Sequence, residues 1–161
     1  MEKKFDILEV VEMGIEKEKM RRDFYQRVAK EFKSTSIKDL FARLSNWEEN
    51  HIDKLNGIKA GLGNDELIEF ESGLLEAYWK TLINDMLYIK VDVGEFSKNI
   101  KTPLEAVSYG ISFEKDSILF FSELGQHLVS KGKGVIETLI EEERSHLIYL
   151  IKLEKQLREE Y

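Results

Sequence analysis

The sequence predicts an all-α chain, a four-helix bundle of two antiparallel hairpins joined by a long crossover that contains a short helical segment. Three observations carry this expectation. Only one proline and ten glycines occur in 161 residues. Apolar residues recur with a period near 3.6 along most of the chain. The pattern of the first half also reappears in the second.

Each element follows in order. The first helix is expected over about 6–32, with Asp6 placed to cap it and Glu9 to reach back, and with a stripe of Val11, Ile15, Phe24, Tyr25 and Val28. Ser34-Thr35-Ser36 offers a fresh cap for a second helix over about 36–60. There Leu40, Phe41, Leu44, Ile52 and Leu55 mark the buried face, and Gly57, Gly61 and Gly63 mark the end. A loop this short makes the pair an antiparallel hairpin. Thr102-Pro103-Leu104-Glu105 combines a capping threonine, a proline at the first helical position and a glutamate one turn on, opening a third helix over about 102–131. Gly132-Lys133-Gly134 is expected to break the chain tightly before a fourth helix over about 134–159, carried by Ile136, Leu139, Leu147, Leu150 and Leu153. Residues 62–101 form the crossover, whose helical piece presents Leu75, Tyr78, Trp79, Leu82, Ile83 and Met86. That piece either runs back along the bundle or packs on a partner chain. Residues 1–161 are thus expected to make a single domain.

Composition narrows the function. With no cysteine, disulfide scaffolds, thiol catalysis and thiolate-bound metal are excluded, so any metal must be held by nitrogen and oxygen. A net charge of -7 disfavours nucleic acid and anionic membrane surfaces as partners. Neither a membrane span nor a secretory signal is visible, and the cytoplasm is the expected location.

The internal repeat is the strongest signal. Leu8, Glu9, Val11, Gly14, Ile15, Glu18, Lys19 and Phe24 match Leu104, Glu105, Val107, Gly110, Ile111, Glu114, Lys115 and Phe120 at a constant offset of 96. In the second helix of each half, Leu44, Glu48, His51 and Leu55 match Leu139, Glu143, His146 and Leu150 at an offset of 95. Glu18 and Glu114 lie within the apolar stripes of their helices, as do Glu48 and Glu143. Four ionised carboxylates directed into one core lose hydration worth several kcal/mol each unless cations compensate. Residues three apart share a helix face, so Glu48 with His51, and Glu143 with His146, can each offer an oxygen and a nitrogen to one side. Together with Glu18 and Glu114 they supply four carboxylates and two imidazoles, a set that suits two ions of iron or manganese and does not exclude zinc.

Glu18 with Phe24-Tyr25, Glu48-x-x-His51, Glu114 with Phe120-Phe121, and Glu143-x-x-His146 resemble the rubrerythrin-like and bacterioferritin-like branch of the ferritin-like di-iron carboxylate proteins. The resemblance covers nearly the whole chain apart from the crossover. It implies that these six glutamates and histidines bind two iron ions. It also implies that dioxygen or hydrogen peroxide is reduced with electrons from an external donor, and it makes a homodimer plausible. Three features depart from the pattern. No cysteines provide a rubredoxin-like module, Ser117 stands where rubrerythrins carry a further glutamate, and no short fifth helix precedes Tyr161, so a storage cage is not expected.

Around the six, Glu16, Glu49, Glu141 and Glu142 read as solvated, and His127 as a surface or helix-end residue. Tyr25 is expected to pack in the core, with a hydrogen bond to a ligand carboxylate as the minor reading. Arg21 and Arg22 are expected to extend to solvent, with pairing to a site carboxylate as the minor reading. Gly14 and Gly110 suggest close approach beside the site, and Trp47 and Trp79 read as core or interface. The leading functional expectation is a di-iron oxidoreductase. Its alternatives are a noncatalytic iron-handling protein and a helical interaction module using Tyr78, Trp79 and Leu82.

Overall fold

The computed structural model describes residues 7–62, 77–79, 81–82, 93–128 and 130–160. Among them are four long helices, α1 (Ile7–Glu31), α2 (Thr35–Gly61), α4 (Pro103–Gly125) and α5 (Ser130–Glu159), and a short α3 (Val93–Asn99). Residues 77–79 and 81–82 are also helical. No strand occurs among the described residues, and none of their helices is long and apolar enough to cross a membrane. The helices pack as two hairpins, α1 on α2 and α4 on α5, which meet where α1 faces α4 and α2 faces α5.

The apolar stripes hold this arrangement. Val11, Ile15, Phe24, Tyr25 and Val28 of α1 are all buried, as are Leu40, Phe41, Leu44, Ile52 and Leu55 of α2. Full burial of each such side chain stabilises by about 1.5–3 kcal/mol, so the ten together far exceed any one cap. The packed side chains fall into two groups along the bundle. One gathers Val11, Ile15, Ile52, Leu55, Phe120, Phe121 and Leu139, and the other Phe24, Tyr25, Phe41, Leu44, Val107 and Leu150. In every long helix the acidic positions of the repeat lie between the two groups, so a polar layer is sandwiched between apolar ones.

The helix ends agree with expectation at one site and differ at others. Thr102 caps α4 through its hydroxyl, which accepts from Glu105 N at 3.2 Å, and the Glu105 carboxylate reaches back to accept from Lys101 N at 2.9 Å. Ser34 occupies the cap position of α2, but its side chain makes no capping bond. The expected break at Gly132-Lys133-Gly134 does not occur. Helix α4 ends earlier, at Gly125, and α5 runs through both glycines. A glycine inside a helix costs about 1 kcal/mol. The buried Ile136 and Leu139 that follow outweigh that. Asp6, Gly63, Leu75, Ile83 and Met86 lie outside the described residues.

Two pieces of the crossover cover the core. Phe96 of α3 is fully buried, 5.9 Å from Phe24 between ring centroids, with the Arg27 guanidinium over its other side. Trp79 is also fully buried, 5.8 Å from Phe120 and 5.6 Å from His127. An outward partner surface built on Trp79 is thereby excluded, although Tyr78 remains 41% exposed.

Candidate metal centre

The six residues singled out by the repeat converge. Glu18, Glu48, His51, Glu114 and Glu143 are fully buried and His146 is nearly so. One oxygen or nitrogen from each of Glu18, Glu48, His51 and Glu143 lies within 4.8 Å of the others, and the same holds for Glu48, Glu114, Glu143 and His146. Glu48 and Glu143 belong to both groups. Helix α1 supplies Glu18, α2 the Glu48–His51 pair, α4 Glu114, and α5 the Glu143–His146 pair.

Hydrogen bonding separates these side chains into kinds. Glu18 has one oxygen occupied, Oε1 accepting from the Arg21 guanidinium at 2.8 Å, and Glu114 likewise, Oε1 accepting from the Tyr25 hydroxyl at 2.8 Å. The second oxygen of each, both oxygens of Glu48 and of Glu143, and Nδ1 of both histidines are buried and bond to nothing outside the cluster, where they have only one another as neighbours for their charge. Leaving such a group unsatisfied costs about 1–3 kcal/mol, and more when it is charged. Eight such atoms facing one space are the signature of a site shaped for cations. Glu48 divides its oxygens between the histidines, Oε2 lying 3.5 Å from His51 Nδ1 and Oε1 4.0 Å from His146 Nδ1. Oε1 of Glu143 lies 2.6 Å from His51 Nδ1 and 3.9 Å from His146 Nδ1. Glu48 and Glu143 thus turn both oxygens toward this space and Glu18 and Glu114 one each, and these are the residues that would hold metal ions there.

The outer nitrogen of His51 meets Glu142, Nε2 to Oε2 at 2.8 Å, and Lys54 donates to the other oxygen of that carboxylate at 2.7 Å. A carboxylate at Nε2 keeps the proton there and turns the lone pair of Nδ1 inward. His146 is held differently. Its ring stacks on Trp47 at 4.4 Å and 5°, and Trp47 stacks in turn on Tyr149 at 5.7 Å. A cleft of about 580 Å³ opens here between α2 and α5, lined by Trp47, Asn50, Lys54, Glu142, His146 and Tyr149.

Without metal the charges balance among themselves. Burial opposes charge on His51, yet the carboxylates of Glu143 and Glu18 override it and push its pKa up to about 11. Burial and the neighbouring His51 push His146 down to about 3. Burial and Glu143 raise the Glu114 carboxyl well above its ordinary range. Burial acts the same way on Glu18, but Arg21 and His51 outweigh it and hold that carboxyl low.

Several neighbours depart from the sequence reading. Arg21 does not extend to solvent: it is 3% exposed, and its guanidinium donates to Glu18. Arg22 reaches the exposed Glu49. Glu142 is not merely solvated, since α5 turns it onto His51. Glu16 and Glu141 are exposed and pair with Lys19 and Arg144. Tyr25 both packs, against Phe41 at 5.6 Å, and hydrogen-bonds Glu114, so the minor reading of its hydroxyl holds. His127 stands at the end of α4 against Trp79. Neither the role of Glu142 nor that of Trp47 was read from the sequence. Both precede a Glu-x-x-His motif, Trp47 before Glu48 and Glu142 before Glu143, and this shared place in the repeat was the available signal.

Comparisons with known proteins bear on the family and the fold. The family model described as Rubrerythrin matches residues 9–150. A crystal structure of a protein of Thermotoga maritima, described as ferritin-like and diiron-carboxylate, superposes with a TM-score of 0.74 at 21% identity, covering 96% of this chain and 98% of that one. A search of curated proteins gives no match.

Proposed function

This chain belongs to the rubrerythrin family, and from that premise we propose that it is a di-iron oxidoreductase that reduces dioxygen or hydrogen peroxide with electrons from an external donor. The observation that carries the reading is the convergence of eight polar atoms from six buried side chains. Glu18, Glu48, His51, Glu114, Glu143 and His146 are the proposed ligands. Their mixed carboxylate and imidazole set suits iron, and manganese also fits. When bound, the iron pair supplies the electrons for reduction of the oxidant.

The protein's part follows from its own residues. Glu48 and Glu143 have both oxygens available to the two ions, while Arg21 and Tyr25 restrict Glu18 and Glu114 to one oxygen each. Glu142 fixes the tautomer of His51. The apolar layers on either side keep water from the polar layer along the bundle axis, and the cleft at His146 gives a small oxidant a lateral approach. None of the 161 residues is a cysteine, so none of them can hold a thiolate-bound iron to pass electrons to the site.

The test is direct. Ferrous protein prepared without air is mixed with dioxygen or peroxide, and visible absorption and oxidant consumption are followed. Wild type is expected to hold about two irons per chain, to develop ferric absorption and to consume oxidant. Glu48→Ala should do neither. Identical behaviour of the two proteins would sink the proposal. Two bound ions without turnover, under several electron donors, would leave the noncatalytic iron-handling alternative.

A further inference from the structure

The buried guanidinium of Arg21 is not needed to fill out a ligand set, yet it lies inside the polar layer. It donates to Glu18 at 2.8 Å and is 3% exposed. The charge of Arg21 is favoured by the carboxylates of Glu18, Glu143 and Glu114, three of the six proposed ligands, against the penalty of burial. At the repeat-equivalent position, one turn after Glu114, the chain has Ser117, which is also fully buried and whose Oγ has no hydrogen-bond partner. Helices α1 and α4 run antiparallel here, as the contacts of Gly14 with Phe120 and of Tyr25 with Gly110 and Glu114 show. The layer therefore carries a fixed positive charge on its α1 side and a neutral hydroxyl on its α4 side.

We propose that Arg21 is a positioning residue that confines Glu18 to a single ligating oxygen and, as a fixed cation, weakens divalent-ion binding and disfavours the more highly charged oxidation state of the ion pair. The inference rests on the di-metal reading above. Four carboxylates and one guanidinium leave three net negative charges where four would otherwise stand. Two divalent ions then exceed the local negative charge by one, and each electron removed from the pair widens the excess. In a water-poor layer at an effective dielectric near 20, a unit charge several ångströms away is felt as a change of about tenfold or more in an equilibrium constant. Glu18 without its guanidinium could turn both oxygens to the ions.

The sign of the effect separates this role from a structural one. Loss of a packing or scaffolding residue weakens metal binding, whereas loss of an opposing charge strengthens it. Arg21→Gln, refolded with cobalt(II) so that the metal takes over as partner of Glu18, is expected to bind cobalt(II) at least about tenfold more tightly than wild type. In the iron-loaded protein the oxidised-to-reduced ratio at a fixed potential should rise about tenfold, or about 59 mV lower in midpoint for a one-electron step. Arg21→Lys keeps the charge and should restore both values to near those of wild type. Arg21→Met, which retains the apolar volume of the stem, is the second neutral variant should the glutamine protein fail to fold. Equal or weaker cobalt(II) binding in the neutral variants, or an unchanged midpoint, overturns the proposal while leaving the metal centre intact. Absence of metal from wild type itself removes the di-metal reading and this inference with it.

Discussion

The two halves of the candidate metal centre carry the same glutamates and histidine and opposite surroundings. Around Glu18 and His51 the supporting groups are ionic: Arg21 on Glu18, and Glu142 with Lys54 on His51. Around Glu114 and His146 they are aromatic: Tyr25 on Glu114, and Trp47 with Tyr149 on His146. The repeat makes the substitution legible. Trp47 and Glu142 occupy equivalent positions, as do Lys54 and Tyr149, and Arg21 and Ser117. The repeat keeps the residues that face the shared space and varies those behind them. One half holds its glutamate and histidine by charged groups, and the other by the neutral Tyr25 hydroxyl on Glu114 and a ring stack on His146.

The largest expected consequence is in the metal-free protein, where the two histidines titrate in opposite directions. His51 has a folded pKa near 11, above its unfolded value. Its contribution to stability is therefore complete below about 6.5 and lost as the pH rises toward 11. His146 is held near 3. It stays neutral in the fold while the unfolded chain takes up a proton, so stability falls as the pH drops from about 6.5 toward 3. The histidine contributions together give a maximum near pH 6.5. In metal-free protein at that pH, His51→Gln should cost about 3 kcal/mol or more, because it strips the buried carboxylates of a partner. His146→Gln should cost about 1 kcal/mol, the scale of a lost ring stack, and should flatten the acid limb alone. Urea unfolding across the pH range measures both. Equal losses would show that the halves do not differ in charge as described.

Metal affinity gives the next contrast. Removing the carboxylate behind a metal-bound imidazole typically weakens binding 10–100-fold, and Glu142→Ala is expected to fall in that range. Trp47→Ala removes a stack worth about 0.5–1.5 kcal/mol and should weaken binding by about tenfold or less. Competition with a chromophoric chelator for cobalt(II) reads both. A tryptophan variant as damaging as the glutamate one would mean that orientation matters as much as charge.

These supporting groups are also where the sequence was least informative. The buried cluster was legible because Glu18, Glu48, Glu114 and Glu143 sit in apolar stripes, where a charged residue contradicts its surroundings. The stripes and the Thr102 cap were legible because their causes are local. Glu142 and Trp47 stand at the edge of their helix faces, and their roles depend on how α2 and α5 are rotated against each other, which no local period encodes. Arg21 is three residues from Glu18, so the pair itself was readable. Its burial was not, because the packing around a side chain is not encoded in a local period. Gly132 and Gly134 misled for the opposite reason: a local break signal was overruled by the packing of Ile136 and Leu139 further along.

The smallest contrast lies in the paired glycines, each one turn before a lone glutamate. Both are helical, where alanine would ordinarily be favoured by about 1 kcal/mol. A Cβ on Gly14 would lie 2.7 Å from Cε1 and 3.0 Å from Cζ of Phe120. That ring cannot readily give way, being 2% exposed and set against Trp79 and Phe121. Gly110 is more forgiving. Its Cβ would meet the terminal methyls of Leu150 at 3.2 and 3.4 Å and the edge of Tyr25 at 3.6 Å. Gly14→Ala should therefore destabilise by about 1–2 kcal/mol, as overpacking exceeds the gain in helix propensity. Gly110→Ala should stay within about 1 kcal/mol of wild type, because rotation of Leu150 can relieve the contact. Urea midpoints at constant m-value distinguish the two. A Gly110→Ala protein as unstable as Gly14→Ala would mean that Leu150 is locked as firmly as Phe120, and that the two glycine seats have not diverged as the supporting groups have.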